Sequence, residues 1–279
     1  MTVLEYLQPE SLDEAIALLG RHGADLLVMA GGTVAMPLVN EGISLPERVM
    51  GLRRAGLDHI ARRDGELRIG ATATLGRVLE AAIDASDVPL LADAIRSTGS
   101  WAVRNLGTIG GNLFTPPPGG DVAVALLALG ARVRLAGPGG ERDIALEDFF
   151  TGYLATALAP DELVAEVIVP LNARRAAFRK LGRKAANTPA VVTVAITLRQ
   201  DDGRTHDARI ALGAVGPHPF RATAAEAALE GRALDGATIE AAARAAAEAS
   251  RPVDDPIASA WYRRRMVEVI VRRVLESLA

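Results

Sequence analysis

Residues 104–121 read RNLGTIGGNLFTPPPGGD. Eighteen positions hold five glycines and three prolines, while both flanks are aliphatic. Gly110 and Gly111 carry no Cβ, so the backbone there is free to take positive φ and to lie against another group. The Thr108 hydroxyl and the Asn112 amide bracket the pair, Pro116 to Pro118 stiffen the exit, and Asp121 opens an apolar segment. A segment of this kind is either a tight structural turn or a cradle for a polar ligand.

A second Gly-Gly turn, AGGT at 30–33, has the same layout of an apolar lead-in and a short hydrogen-bonding residue at the end. Exposed amides at turns and helix starts favour anions, so the two turns together suit a diphosphate. Neither matches GxGxxG or GxxxxGK[ST], so a Rossmann or P-loop reading has no support. Taken singly, either pair also reads as a plain turn.

Around these turns the chain alternates helices and strands. Ser11 and Glu14 form a capping box for a short helix with Ala15, Ile16, Leu18 and Leu19 on its buried stripe, ending at 20–23. Leu26 to Ala30 reads as a buried strand, with a helix from Thr33. ELRIGATATL is an alternating strand, and helices are predicted over 75–85, 90–98 and 122–129, the last closed by Gly130. Asp121 suits the N-cap of that last helix. ARVRLAG and DELVAEVIVP are strands, the second ending at Pro170. From 170–175 onward the style changes to three antiparallel strands, AAFRKLGRK, PAVVTVAITLRQ and DARIALGAVG, with a turn at Asp201 to Arg204. Helices over 222–229, 237–249 and 257–278 follow. Arg263, Arg264, Arg265, Arg272 and Arg273 read as a solvated face of the last. The fold class is α+β.

Composition narrows the chemistry. The 279 residues are 49% hydrophobic, enough for a large core in two domains. The net charge of −3 gives no case for nucleic acid or anionic membrane as partner. Glu5 sits where a signal peptide carries positive charge, and no apolar run reaches the roughly 18 residues of a membrane span. A cytoplasmic protein is expected. The chain has no cysteine, which excludes disulfides, thiolate nucleophiles and any iron–sulfur cluster bound through its own thiolates. His22, His59, His206 and His218 are scattered and read as surface or capping residues, not metal ligands.

Five segments occur in the order seen in one family: AGGT, RNLGTIGGN with an Asp nine residues beyond Asn112, TGYLATALAPDELVAEVIVP, KLGRK and PIASAWYRRRMV. In these the chain resembles, essentially end to end, the FAD-binding (medium) subunits of the molybdenum hydroxylases, the carbon monoxide dehydrogenase and xanthine dehydrogenase group. The resemblance implies a two-lobed FAD-binding domain of the vanillyl-alcohol oxidase (PCMH) type over 1–172, with lobes of about 1–57 and 58–172. It implies a small C-terminal domain over 173–279, with three antiparallel strands on helices. By position, it implies a first diphosphate loop of Val28, Met29, Ala30, Gly31, Gly32 and Thr33, and a second of Thr108, Gly111 and Asn112. Asp121 would bond the ribityl or pyrimidine side of the flavin, Leu163 would pack on the flavin or adenine, and Arg179 or Lys180 would reach the flavin's polar edge and tune it. No histidine or cysteine lies in either loop, so the FAD is expected to be non-covalent.

The chain departs from the family pattern at Val34, where a polar residue is frequent, at Trp101, at the Pro116–Pro118 run and at Asn187 to Pro189. The function implied is transfer of electrons from partner [2Fe–2S] clusters through FAD to an external acceptor. The expected partners are a large molybdopterin-binding subunit and a small [2Fe–2S] subunit, in a dimer of heterotrimers. Two alternatives stand beside it: a stand-alone FAD oxidoreductase, which needs a base near the flavin that neither loop supplies, and a scaffold that has lost FAD.

Overall fold

The computed structural model describes residues 3–84, 88–115, 120–172, 174–184 and 187–279, with the backbone alone at 24, 83 and 84. Among the described residues, three larger sheets with their helices carry the fold, beside a two-stranded ribbon of Phe150–Gly152 and Ala155–Thr156. The first is parallel, in the order Glu5–Leu7, Arg48–Gly51, Leu26–Met29. Helix Leu12–His22 packs on it, capped as the sequence implies: Ser11 Oγ accepts from the Glu14 amide at 3.1 Å. The returning arm of the box differs, because Glu14 bonds the amide of Glu10 rather than that of Ser11.

The second sheet is antiparallel, in the order Ile60–Arg63, Glu66–Gly70, Leu163–Pro170, Arg132–Gly137, Gly140–Ala145. Its alternation sorts two faces. Leu67, Ile69, Val133, Leu135, Val167 and Val169 point into the main core. Glu66, Arg68, Arg132, Arg134, Asp143 and Glu166 form a lattice of ion pairs on the other face. Helices Leu75–Asp84, Pro89–Ser97 and Asp121–Leu129 fill the core side. All nine residues of Asp121–Leu129 are buried, which its sequence allows, being apolar throughout after Asp121. Gly130 closes that helix at φ 70°.

The third sheet is antiparallel, with Arg175–Gly182, Ala190–Asp201, Arg204–Gly213 and Phe220–Arg221 in order. It has four strands rather than the three expected, because the last is two residues long and carries no periodic signal. Strand Ala190–Asp201 is buried on both sides. Val192, Val194, Ile196 and Leu198 face helices Thr223–Leu229, Gly236–Ala249 and Ala260–Glu276. Thr193, Ala195 and Thr197 face helix Asp121–Leu129, and Thr197 Oγ1 donates to the Ala128 carbonyl at 2.8 Å. Small residues on that side let the helix lie close to the sheet.

Arg263 departs from its expected place. It is 1% exposed, donating to the carbonyls of Ala190, Val191 and Ala214 and to both carboxylate oxygens of Asp255. Charge alone suggested a solvated face, but position 263 shares the buried stripe with Val267, Val271 and Val274. Among the described residues, no helix is long and apolar enough to cross a membrane.

Candidate functional site

Strand Leu26–Met29 runs into the turn at 30–34, and helix Ala35–Asn40 begins two residues later than expected. Gly32 has φ 72°, a left-handed conformation that favours glycine. Gly31 has no room for a Cβ, which would overlap the carbonyl oxygen of Leu106. The turn is therefore pressed onto the end of helix Trp101–Leu106. Among the described residues, the amides of Gly31, Gly32, Thr33 and Val34 have no hydrogen-bond acceptor. Successive unpartnered N–H groups at a turn make a concavity suited to an anion.

The second Gly-Gly is built differently from its expectation as a loop. It lies in a five-residue helix, Ile109–Leu113, capped by Thr108, whose Oγ1 accepts from the Gly111 amide at 3.1 Å. Neither Gly110 nor Gly111 has positive φ. Close packing explains them instead: a Cβ on Gly110 would lie 2.7 Å from Ala71 Cβ, and one on Gly111 2.9 Å from Thr108 Oγ1. The amides of Gly107, Ile109, Gly110, Gly111 and Asn112 are all bonded within the protein. Free amides therefore come from the first turn. What the second offers is side-chain chemistry, since the Asn112 Oδ1 is buried without a partner among the described residues. The Pro116–Pro118 run lies outside the described residues.

Asp121 is not the N-cap of its helix. Gly120 holds that position at φ 84° without a side-chain cap bond, and Asp121 is the first helical residue. Its carboxylate accepts from Lys180 Nζ at 2.6 Å on Oδ2 and from Thr193 Oγ1 at 2.6 Å on Oδ1. Lys180 also donates to the Ser97 carbonyl at 3.2 Å. Arg179, the next residue back along the strand, is exposed, bonds the Phe178 carbonyl and does not line the cleft.

These parts line one open cleft of about 1110 Å³. Val28, Met29, Ala30, Gly31, Gly32 and Thr33 are on its wall, as are Thr108, Gly111, Asn112, Asp121, Leu163 and Lys180. A smaller cavity of about 70 Å³ adjoins it, sharing Asn112, Phe114, Thr115, Gly120 and Thr156, and includes His218 stacked on Phe150. Sequence reasoning missed Thr72, Glu162, Thr188 and Ile257, which also line the cleft. Glu162 falls in DELVAEVIVP, which the sequence marks only as a strand and as part of a family segment. The Glu162 carboxylate is paired with Arg142 at 2.7 Å through both oxygens and accepts from the Ala159 amide at 2.8 Å. The Arg142 hydrogen bond holds its carboxyl below the usual range despite partial burial. A carboxylate so held orders the 157–162 turn and is poorly suited as a general base.

Residues 2–172 match the family described as "FAD binding domain in molybdopterin dehydrogenase", and residues 176–278 match "CO dehydrogenase flavoprotein C-terminal domain". The chain is 32% identical over 276 residues to the carbon monoxide dehydrogenase medium chain of Hydrogenophaga pseudoflava, covering 98% of this chain and 96% of that one. It is 31% identical to the glyceraldehyde dehydrogenase medium chain of Sulfolobus acidocaldarius, covering 98% of each. The solved carbon monoxide dehydrogenase from Hydrogenophaga pseudoflava that lacks the Mo-pyranopterin moiety contains a chain that superimposes with TM-score 0.96 at 34% identity. The match covers 99% of this chain and 97% of that one.

Proposed function

The chain belongs to the FAD-binding medium subunits of the molybdopterin dehydrogenases, the carbon monoxide and xanthine dehydrogenase family, and from that membership we propose how it works. It holds FAD non-covalently in the cleft and relays electrons from [2Fe–2S] clusters of a small partner subunit to an external acceptor, which is NAD, a quinone or oxygen. A large molybdopterin-binding subunit oxidises the substrate, and the three chains assemble in the cytoplasm as a dimer of heterotrimers.

The residues present fit the cofactor. The observation that carries the reading is the run of unpartnered amides at 31–34 on the wall of a cleft of about 1110 Å³. These amides receive the diphosphate, with Gly32 supplying the turn. Asn112 Oδ1, buried and without a partner among the described residues, accepts a hydrogen bond from the nucleotide, and Thr108 and Gly111 shape the surface beneath it. Val28, Met29 and Leu163 form apolar walls, and the Asp121–Lys180 pair supplies a polar group for the flavin's edge. When bound, FAD supplies a centre able to exchange electrons singly or in pairs. The chain itself binds, orients and shields that centre.

A stand-alone oxidoreductase needs a free base beside the flavin, and Glu162 is committed to Arg142. A scaffold without cofactor has no use for four amides and an amide oxygen that, among the described residues, stand without partners in one cleft. The test is acid precipitation of the purified protein. Equimolar FAD, all of it released into the supernatant, is the expected result. Flavin left in the pellet contradicts non-covalent binding, and FMN in place of FAD contradicts the diphosphate site.

A further inference from the structure

The ion pair on the cleft wall has a third, buried member. Thr193 is 1% exposed and directly opposite Lys180 in the ladder between strands Arg175–Gly182 and Ala190–Asp201. Residues opposite one another in a ladder point to the same face, so both side chains reach one carboxylate, that of Asp121. An ionised carboxylate only accepts, so the Thr193 hydroxyl donates its single proton to Oδ1 at 2.6 Å. Lys180 Nζ donates to Oδ2 at 2.6 Å and to the Ser97 carbonyl at 3.2 Å. An ammonium has three N–H bonds, and among the described residues two are taken by the protein. Lys180 lines the cleft, so the third is left for a ligand there.

We propose that Thr193 is a positioning residue of the flavin site, fixing through Asp121 the Lys180 ammonium whose remaining N–H addresses the polar edge of the cofactor. The inference rests on the FAD reading of the cleft. Lysine is a long, flexible side chain, and an ammonium fixed by two anchors loses less freedom when a ligand docks. Without the Thr193 hydroxyl, Asp121 Oδ1 is left buried and unpaired, and the carboxylate is free to turn away from Lys180. In this arrangement Asp121 acts on the flavin through Lys180.

The experiment uses the full chain in its complex, comparing wild type with Thr193→Val, Thr193→Ser, Lys180→Ala and the Thr193→Val/Lys180→Ala double variant. Three quantities are read: FAD dissociation constant, flavin reduction potential and melting temperature of the FAD-free protein. Thr193→Val is expected to weaken FAD binding about tenfold, the scale of one hydrogen bond to a charged group. It is also expected to lower the reduction potential, and Thr193→Ser is expected to restore both. Once Lys180 is alanine, adding Thr193→Val is expected to change neither, since the two residues act as one unit. Wild-type affinity and potential in Thr193→Val, or an equal further loss in the double variant, overturns the proposal. If Thr193→Val does not fold, Asp121→Asn with and without Lys180→Ala carries the same cycle. Failure of the wild type to bind FAD would instead sink the FAD reading itself.

Discussion

At the scale of single residues, the two Gly-Gly pairs show why one dipeptide can mean two things. Gly32 is needed for its φ of 72° and Gly110 for lack of space, whereas Gly111 sits where any side chain meets both the Thr108 cap and the cleft. A Cβ there would be 2.9 Å from Thr108 Oγ1 and 4.0 Å from Ala30 Cβ, so larger groups grow into the gap between the two turns. Gly111→Val is therefore expected to weaken FAD binding by about 10- to 100-fold, the effect of roughly 1–3 kcal/mol of overpacking. The reason is steric and not conformational. Fluorescence titration with FAD checks it, and unchanged affinity would remove Gly111 from the site. Asp121 teaches a related lesson. An Asp before an apolar run is an ordinary cap signal, but Gly120 takes the cap position and frees the carboxylate for Lys180 and Thr193.

At the scale of elements, the strongly periodic segments were legible. Helix Leu12–His22, strand Leu163–Pro170 and the hairpin through Asp202 and Gly203 follow from a capping box, an apolar run broken only by Glu166, and a two-residue turn. Strands Glu5–Leu7 and Arg48–Gly51 were not, because three or four residues carry too little pattern to separate from a loop. Helix Ile109–Leu113 was missed because its two glycines are poor helix formers held in place by packing. The terminal helix was legible in extent but not in its one buried charge. Arg263 ties helix Ala260–Glu276 to strand Ala190–Asp201, and Asp255 also accepts from the amide of Ile257, a residue of the cleft wall. Asp255→Ala strands a buried guanidinium and is expected to cost about 3 kcal/mol in denaturant unfolding. Arg264→Ala, on an exposed position, is expected to stay within about 0.5 kcal/mol. Burial alone would raise the Asp255 carboxyl, but the Arg263 guanidinium and the amides of Ala258 and Ile257 outweigh it and hold it low. The folded pKa thus lies below the unfolded one. The resulting stability is complete above the ordinary aspartate range and is lost as pH falls through the folded value. Asp255→Asn is expected to flatten the fall in stability on acidification, and an unchanged slope would deny Asp255 that part.

At the scale of the whole molecule, the cleft draws its walls from segments as far apart as Leu19 and Ile257, which no local motif could have joined. The sequence order of five motifs carried that information only through resemblance. The same scale raises the question of what meets the open side of the cleft. Trp101 is 75% exposed, Leu154 62%, Phe114 46% and Leu106 45%. Single exposed apolar residues are ordinary, but these four lie on or next to segments that line the cleft or its adjoining cavity. Phe114 is core on one edge and surface on the other, since it stands edge-on to the fully buried Phe149 at 5.8 Å. Medium chains of this family work in multi-subunit complexes, so the face is expected to be covered by a partner. Trp101→Ser is the cleaner probe, because Trp101 does not line the cleft and its loss should leave FAD content unchanged. Co-expressed with the proposed large and small subunits, Trp101→Ser and Phe114→Ser are expected to give less heterocomplex and slower electron delivery to an artificial acceptor. Equal yields and equal rates for both variants would mean that the partner docks elsewhere. Loss of FAD from the Trp101 variant would mean that helix Trp101–Leu106 serves the cleft and not the interface.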